Sequence, residues 1–319
     1  MRVLRWVGTR LVVFIISLLL ASALIFWVGD LLPGDLASVI LGQGASPQAL
    51  EDLRHELGLD RPAVVRYLEW LGGMVVGDFG TSPLTHRPVS EQIGLKFPVT
   101  FWLVFWGMVV ALVIAVPLGM LAALRRRHVE GFAASAASQI GLAIPAFWAG
   151  IIGIYVFAVQ LRWLPANGYV PLTTSPWQWA RHLVLPVLSL AIVQAAVVAR
   201  YVRSAIIEVL AEDYYRTARA IGWRQFPALL RHGLRNASIS VVTVLGLQFA
   251  TLFVGAIVIE SVFTMPGLGT MLLHAVSQRD MIVVRGTVML LVVIVLVINA
   301  VVDLSYVALD PRLRARGAR

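Results

Sequence analysis

Residues 97–124, FPVTFWLVFWGMVVALVIAVPLGMLAAL, decide the fold, because this stretch contains no Asp, Glu, Lys or Arg. An α-helix rises about 1.5 Å per residue, so roughly 20 apolar residues cross the hydrocarbon core of a bilayer. Five other windows lack these four residue types at a similar length: 11–29, 131–161, 182–199, 236–259 and 286–302. The sequence therefore predicts an all-α integral membrane protein with six transmembrane helices.

The composition supports this class and excludes several chemistries. Hydrophobic residues make up 59% of the 319 residues and charged residues 13%, whereas soluble domains carry about 25% charged residues. The chain has no cysteine, which excludes disulfides, thiolate metal sites and cysteine nucleophiles and leaves the redox compartment undetermined. A phosphate-binding loop GxxxxGK[ST] is also excluded, because Phe97 follows the only lysine, Lys96. The chain cannot supply that kind of ATP site, so if its function is ATP-driven, the nucleotide must be bound by another subunit.

The arginines assign the sides of the membrane. With six spans, one side holds 17 of the 26 basic residues and six of the 17 acidic residues, a balance of +11. The other side holds nine basic and eleven acidic residues, a balance of −2. The positive-inside rule therefore predicts that both termini are cytoplasmic. The same rule accounts for the net charge of +9, so nucleic-acid binding is not expected.

The windows divide the chain into four parts. The first helix contains Ala21-Ser22-Ala23, which resembles a signal-peptidase site, but cleavage there would cut inside the apolar run, so the helix is expected to stay. After it, Ser46 and Pro47 predict the start of a short helix that ends at Gly58, and a second helix should run from about Pro62 to Gly73. This external region either meets an extracytoplasmic partner or covers the helix bundle. The predicted parts are a first transmembrane helix at 1–29, a small helical external cap at 30–96, a five-helix core at 97–309 that includes the cytoplasmic region 203–235, and a basic cytoplasmic tail at 310–319.

A polar island, residues 208–236, separates two apolar windows and must lie in water beside the membrane. Asp213 can cap a short helix over residues 214–221, and Gly222 can supply the positive φ that often ends a helix. Tyr214, Ala218 and Ile221, spaced four and three apart, would form an exposed apolar strip. The strip fits a groove on a partner protein, although contact with lipid or with the protein's own helix ends would also explain it.

The polar residues outside the island do not form a recognisable catalytic or metal site. The six histidines show neither HExxH nor an i, i+4 pair, and no GxSxG nucleophile elbow is present. Glu260 and Asp303 are expected at the ends of spans, where a carboxylate can reach water, which disfavours a proton relay. Four deeper amides are expected to form hydrogen bonds between helices, or else to line a polar path: Gln139, Gln194, Gln248 and Asn299.

Two segments of the island carry a family resemblance. DYYRTARAIG at 213–222 and LRHGLRNA at 230–237 resemble the cytoplasmic signature of binding-protein-dependent ABC importer permeases, in the dipeptide, oligopeptide and nickel branch. The chain departs from the general signature at Arg216-Thr217, at Ile221 and at Trp223. Other motifs of that branch occur along nearly the whole chain: LPGD at 32–35, LGLDRP at 57–62, GDFGTS at 77–82, PGLG at 266–269 and LDPR at 309–312.

The resemblance implies a subunit of the bacterial cytoplasmic (inner) membrane that performs no chemistry itself. It implies pairing with a homologous second permease, two ATPase subunits that bind ATP and Mg²⁺, an extracytoplasmic substrate-binding protein, and no cofactor in this chain. Di- or oligopeptides are the expected solute, with nickel or another small solute as the alternative. The implied ATPase-coupling residues are Asp213, Tyr214, Tyr215, Arg216, Thr217, Ala218, Arg219, Ala220, Ile221 and Gly222, and the outer-side family motif comprises Glu260, Phe263, Pro266, Gly267 and Gly269.

Two other classes of function remain open at this stage. An ion-coupled secondary transporter would be expected to carry an acid at mid-membrane depth or a repeated half, and the sequence predicts neither. A membrane scaffold without transport would need none of these motifs.

Overall fold

A computed structural model of the chain describes residues 2–31, 36–42, 44–56 and 58–309. The motif residues 32–35 and Leu57, the residues of the last motif from Asp310 onward, and the predicted tail 310–319 lie outside this part. The described residues form helices and connecting turns, with one isolated β-bridge between Thr81 and Pro88. The α-helices are α1 (Arg2–Leu31), α2 (Leu36–Leu41), α3 (Pro47–Glu56), α4 (Ala63–Val75), α5 (Val89–Leu124), α6 (Val129–Ala143), α7 (Ala146–Gly153), α8 (Pro176–Ala211), α9 (Asp213–Ala220), α10 (Gln225–Ala228), α11 (Leu234–Val262), α12 (Leu268–Ser277) and α13 (Met281–Leu309).

The prediction of an all-α membrane protein is confirmed. Within the described residues, five helices are long and apolar enough to cross a membrane, and they contain five of the six predicted windows. Their membrane-length segments are Gly8–Asp30, Val89–Leu124, Pro176–Ala211, Ser240–Val262 and Met281–Ser305.

The remaining window, 131–161, was predicted as one transmembrane helix, but it does not form a continuous helix. It consists of α6, α7 and a π-helical segment, Ile154–Gln160, and it bends by 95° at Ile144 and Pro145. Ile144 is extended, with φ −89° and ψ 119°, because the ring of Pro145 disfavours a helical conformation in the residue before it. The chain therefore has six spans only if this bent pair counts as one.

One compact unit comprises the described residues up to 99 and residues 266–296. The carboxylate of Asp30, at the end of α1, accepts hydrogen bonds from Arg66 of α4 at 2.8 Å and from Arg285 of α13 at 3.2 Å. The hydroxyls of Ser22 and Tyr67 are 2.8 Å apart, which joins α1 and α4 a second time. These polar contacts hold α1 against α4 and α13, whereas the other side of α1 is largely apolar and exposed.

The two helices predicted between the first and second apolar windows are confirmed in this unit. The hydroxyl of Ser46 accepts a hydrogen bond from the amide of Ala49 at 3.2 Å, at the start of α3. Gly58 has φ +65°, and α4 continues two residues past Gly73, to Val75. Which side of the membrane these helices lie on, and the division of the chain into four parts, remain predictions.

The second compact unit comprises residues 100–265 and the described residues from 297 to 309, and α8 lies at its centre. Helices α6, α7 and α11 all pack against α8, and small residues permit the close approach. A Cβ on Gly141 of α6 would lie 2.8 Å from the Cβ of Ala196 in α8. Gln194 of α8 and Gln248 of α11 form a hydrogen bond of 2.8 Å, so the predicted interhelical hydrogen bonding is confirmed for this pair.

Candidate functional site

The polar island begins where α8 turns sharply into α9. Glu212 separates the two helices in an extended conformation, with φ −72° and ψ 145°. The prediction that Asp213 caps α9 is wrong, because Asp213 is the first helical residue and Glu212 occupies the cap position without a side-chain cap bond. A carboxylate in the first turn still favours the helix through its dipole.

The predicted end of α9 is confirmed. Gly222 has φ +97°, a conformation that glycine adopts without a steric cost. The amide of Gly222 donates to the carbonyl of Arg219 at 3.2 Å, and the amide of Trp223 donates to the carbonyl of Ala218 at 3.2 Å. The chain leaves the helix in a fixed direction, since these bonds satisfy carbonyls that the helix end would otherwise leave free.

The inner face of α9 is fixed to the rest of the unit. Tyr215 and Ala218 are each 5% exposed and belong to the same buried cluster as Val209 and Leu229. The hydroxyl of Tyr215 donates to the carbonyl of Gln225 at 3.2 Å. Burial raises the pKa of Tyr215, and the nearby positive charge of Arg219 opposes this. The inner face of α9 is therefore packed against the end of α8 and the segment that follows α9.

The outer face of α9 differs from the predicted strip by one residue. Ala218 was expected on the exposed face, but it lies three positions after Tyr215 and shares its buried side. The exposed row is Tyr214, Thr217 and Ile221, and Ile221 is 72% exposed. Basic side chains flank this row, and Arg219 donates to the carbonyl of Trp223 at 2.6 Å. An exposed apolar row with a charged margin suits a protein partner.

Helix α10 and a π-helical segment, Leu229–Gly233, pack beside α9. Leu229 is buried, whereas Phe226 and Leu230 are exposed. Sequence reasoning missed these two side chains, although their spacing of four residues within a polar stretch was a usable signal. Here the name coupling surface denotes Tyr214, Thr217, Ile221, Phe226 and Leu230.

A close contact ties the π-helical segment to the end of α8. A Cβ on Gly233 would lie 2.5 Å from Cγ1 of Val209, so only a glycine permits this approach. The guanidinium of Arg231 lies 5.6 Å from the ring centroid of Trp223, and the ring of His232 packs against the same indole at 5.4 Å. The segment that follows α9 is thus packed against the end of α8 and against Trp223.

The outer-side motif begins at the end of α11. Glu260 is fully buried and accepts a hydrogen bond from the hydroxyl of Thr100 in α5 at 2.5 Å, so the prediction that its carboxylate reaches water is wrong. Phe263 is also buried, and its carbonyl accepts a hydrogen bond from the amide of Gly168 at 2.9 Å. Both residues therefore have structural contacts within their unit.

The rest of the outer-side motif belongs to the other compact unit. Pro266 and Gly267 precede α12, and Gly269 is buried near its start. The role of all five motif residues remains a prediction. In the described part of the chain, no group of three or more His, Asp or Glu side chains is placed to hold a metal ion.

Comparison with known protein families identifies the family of this chain. Residues 115–315 match the family described as binding-protein-dependent transport system inner membrane component, and residues 3–104 match the model of the N-terminal part of such membrane components. The chain belongs to this family. It is an ABC importer permease and a multi-pass protein of the inner membrane.

Relatives of the permease cover almost its whole length. The glutathione transport system permease protein GsiC of Escherichia coli (strain K12) is 40% identical over 311 residues, which covers 98% of this chain and 99% of the relative. A protein of Brucella abortus (strain 2308) named as a peptide transport system permease protein is 40% identical over 297 residues, 93% of this chain and 95% of that one.

Solved structures support the fold. A chain in the structure of the MetNI methionine ABC transporter, in inward-facing conformations, superposes with a TM-score of 0.51 and 21% identity. The superposition covers 70% of the permease and 94% of that chain. The coupling surface and the outer-side motif both fall within the matched residues 115–315, and their functional roles remain predictions.

Proposed function

We propose that this permease forms half of the translocation path of an ATP-driven importer of di- or oligopeptides. Its partners in this proposal are a homologous second permease, two separate ATPase subunits that bind ATP and Mg²⁺, and an extracytoplasmic substrate-binding protein. The observation that carries the choice of solute is the 40% identity, over nearly the full length, to relatives named for peptide and glutathione transport.

The proposed coupling runs through α9. The coupling surface would lie in a cleft of an ATPase subunit, and closure of the two ATPases around ATP would pull α9 with it. The inner face of α9 is packed against the end of α8 through Tyr215 and Ala218, so a displacement of α9 would be transmitted to α8. Helices α6, α7 and α11 pack against α8, so a shift of α8 would also move these helices and thereby change the translocation path.

The energy required is within reach of nucleotide binding. To shift a two-state equilibrium from 1:99 to 99:1 takes about 5.5 kcal/mol of differential binding between the two states. ATP held between two ATPase subunits in only one state would supply a difference of this kind. A binding protein that delivers solute to the outward-facing state would add its own contribution.

The test is solute uptake in cells that lack the permease gene. We expect deletion to abolish uptake of labelled dipeptides and glutathione, and the wild-type gene to restore it. Restoration by Ile221→Val, which keeps the exposed apolar side chain, should be complete, whereas Ile221→Asp should restore less than about a tenth, since a charge in an apolar contact costs more than about 1.4 kcal/mol. Uptake of Ni²⁺ that depends on the gene, with peptide uptake unaffected, would contradict the proposed solute.

A further inference from the structure

A cavity of about 480 Å³ opens beside α6 and α8, in the unit of residues 100–265. It is separate from the coupling surface. Two arginines contribute to its lining, Arg126 from the turn before α6 and Arg203 from α8, and no acidic residue does. The cavity is also lined by Phe132, Ser135, Gln139 and Ile140.

The polar part of the cavity contains a buried hydrogen-bond donor that has no acceptor. The Nε of Arg203 is buried and has no acceptor among the described residues. The neighbouring acid, Glu130, is occupied elsewhere, because Arg125 donates to its carboxylate at 2.8 Å. A buried donor without an acceptor is unfavourable, so the cavity is suited to an anion.

The apolar part of the cavity faces outward from a membrane helix. Phe132 is 73% exposed and Ile140 is 63% exposed, and both lie on α6, the first half of the bent span. Side chains of this kind on a membrane helix are compatible with acyl chains. The cavity thus combines positive charge and hydrogen-bond donors with an adjoining apolar surface.

The position of the cavity fits a lipid of one leaflet. Arg126 belongs to the run Arg125-Arg126-Arg127, which the positive-inside rule assigns to the cytoplasmic side. Basic pockets between membrane helices on that side attract anionic head groups. A phosphate group can accept two parallel hydrogen bonds from one guanidinium group, so the two arginines supply the donors that such a head group needs.

We propose that this cavity binds the phosphate group of an anionic phospholipid, of the phosphatidylglycerol type, from the cytoplasmic leaflet. The guanidinium groups of Arg126 and Arg203 bind the phosphate, and Gln139 binds the glycerol head group. The hydroxyl of Ser135 donates to the carbonyl of Gly131 at 2.8 Å, so its oxygen serves as an acceptor for a glycerol hydroxyl. The acyl chains follow Phe132 and Ile140. Bound lipid would hold the turn before α6 against α8, independently of which solute is transported.

The test measures lipid binding to the intact transporter complex by native mass spectrometry, with phosphatidylglycerol and phosphatidylcholine titrated separately. We expect wild-type protein to prefer phosphatidylglycerol, and the double variant Arg126→Gln/Arg203→Gln to bind it roughly ten- to thirtyfold more weakly, at about a fivefold loss per arginine. Arg127→Gln is the matched control, because Arg127 is an exposed neighbour that does not line the cavity. It should bind as wild type does.

Two further measurements keep the result interpretable. If the double variant is not monodisperse, Arg126→Gln alone is used, since Arg126 is exposed, and a loss of about fivefold is expected. Inorganic phosphate is titrated in parallel to separate a lipid site from a site for a soluble anion. Equal affinity of the wild-type and variant proteins for phosphatidylglycerol, equal binding of both lipids, or binding of inorganic phosphate alone would overturn the proposal.

Discussion

Gly222 illustrates how a single residue sets the geometry of the coupling surface. Its φ is +97°, and a Cβ built on it would have no atom within 4 Å. A side chain there would therefore meet no neighbour, and its cost would come from the backbone conformation alone, about 1–2 kcal/mol for an L-residue. The function of Gly222 is to direct the chain out of α9.

We expect Gly222→Val to reduce transport by more than about tenfold while the amount of protein in the membrane stays unchanged, because the valine would force the chain out of its left-handed conformation. The matched control is Gly42→Val, since Gly42 also has a positive φ, +77°, and open space around it. Uptake of labelled solute and the membrane content of the permease are measured for both. Normal transport by Gly222→Val, or an equal loss in Gly42→Val, would contradict the assigned role.

The buried carboxyl group of Glu260 gives a second prediction at this scale. We expect Thr100→Val to lower the free energy of unfolding by about 1–3 kcal/mol, because it removes a donor from a buried acceptor while keeping the side-chain volume. Thr100→Ser retains the hydroxyl and should restore most of the stability. Thermal unfolding in detergent is the measurement, and a Thr100→Val variant as stable as wild type would refute the importance of this bond.

At the level of single residues, the sequence predicted the presence of α9 better than its orientation. Apolar side chains occur on both sides of α9, so spacing alone could not decide whether Ala218 or Thr217 faces solvent. The burial of Tyr215 and Ala218 depends on Val209 and Leu229, which no local pattern identifies. The burial of Glu260 likewise depends on Thr100, which lies 160 positions earlier in the chain.

Small residues set the spacing between elements. Gly119 of α5 lies so close to α8 that a Cβ would be 2.6 Å from the carbonyl oxygen of Ala199 and 2.8 Å from Cβ of Val202. Within a bilayer, helix association depends on such close packing, because lipid is as apolar as the helix surface. The crossing of α5 and α8 is therefore sensitive to a single methyl group.

We expect Gly119→Ala to destabilise the protein by about 1–3 kcal/mol, because the added methyl group meets a backbone oxygen that cannot rotate away. Gly94→Ala is the control on the same helix, since a Cβ on Gly94 would have no atom within 4 Å, and alanine there should be neutral or slightly stabilising. Apparent melting temperatures of the two variants are compared. Equal melting temperatures would show that this crossing tolerates a wider separation.

Hydropathy predicted which segments form membrane helices, but it could not predict whether a helix is continuous or bent. Five windows lie within long helices because length and apolarity are sufficient for a straight span. The window 131–161 passes the same count and yet bends by 95° at Pro145. Prolines also occur within long helices, as Pro186 does in α8, so a proline in a window does not by itself predict a break.

At the scale of the molecule, membership of the family of importer permeases implies ATPase partners on other chains. The family assignment rests on matches that together include most of the sequence, and it agrees with the six apolar windows and the polar island between two of them. The remaining step is the proposed seat of the ATPase on the coupling surface. This contact can be tested by cross-linking, because the chain contains no cysteine and a single introduced cysteine is therefore the only one that a thiol reagent can label.

The most direct measurement is therefore a site-specific photo-cross-link from one introduced cysteine, Ile221→Cys, labelled with benzophenone in the assembled transporter. Tyr215→Cys, on the buried face of the same helix, and Val75→Cys, an exposed position at the end of α4, are the controls. We expect an adduct between the permease and an ATPase subunit from position 221 and from neither control. Adducts from position 221 with lipid alone, or an equal ATPase adduct from position 75, would contradict the proposed coupling.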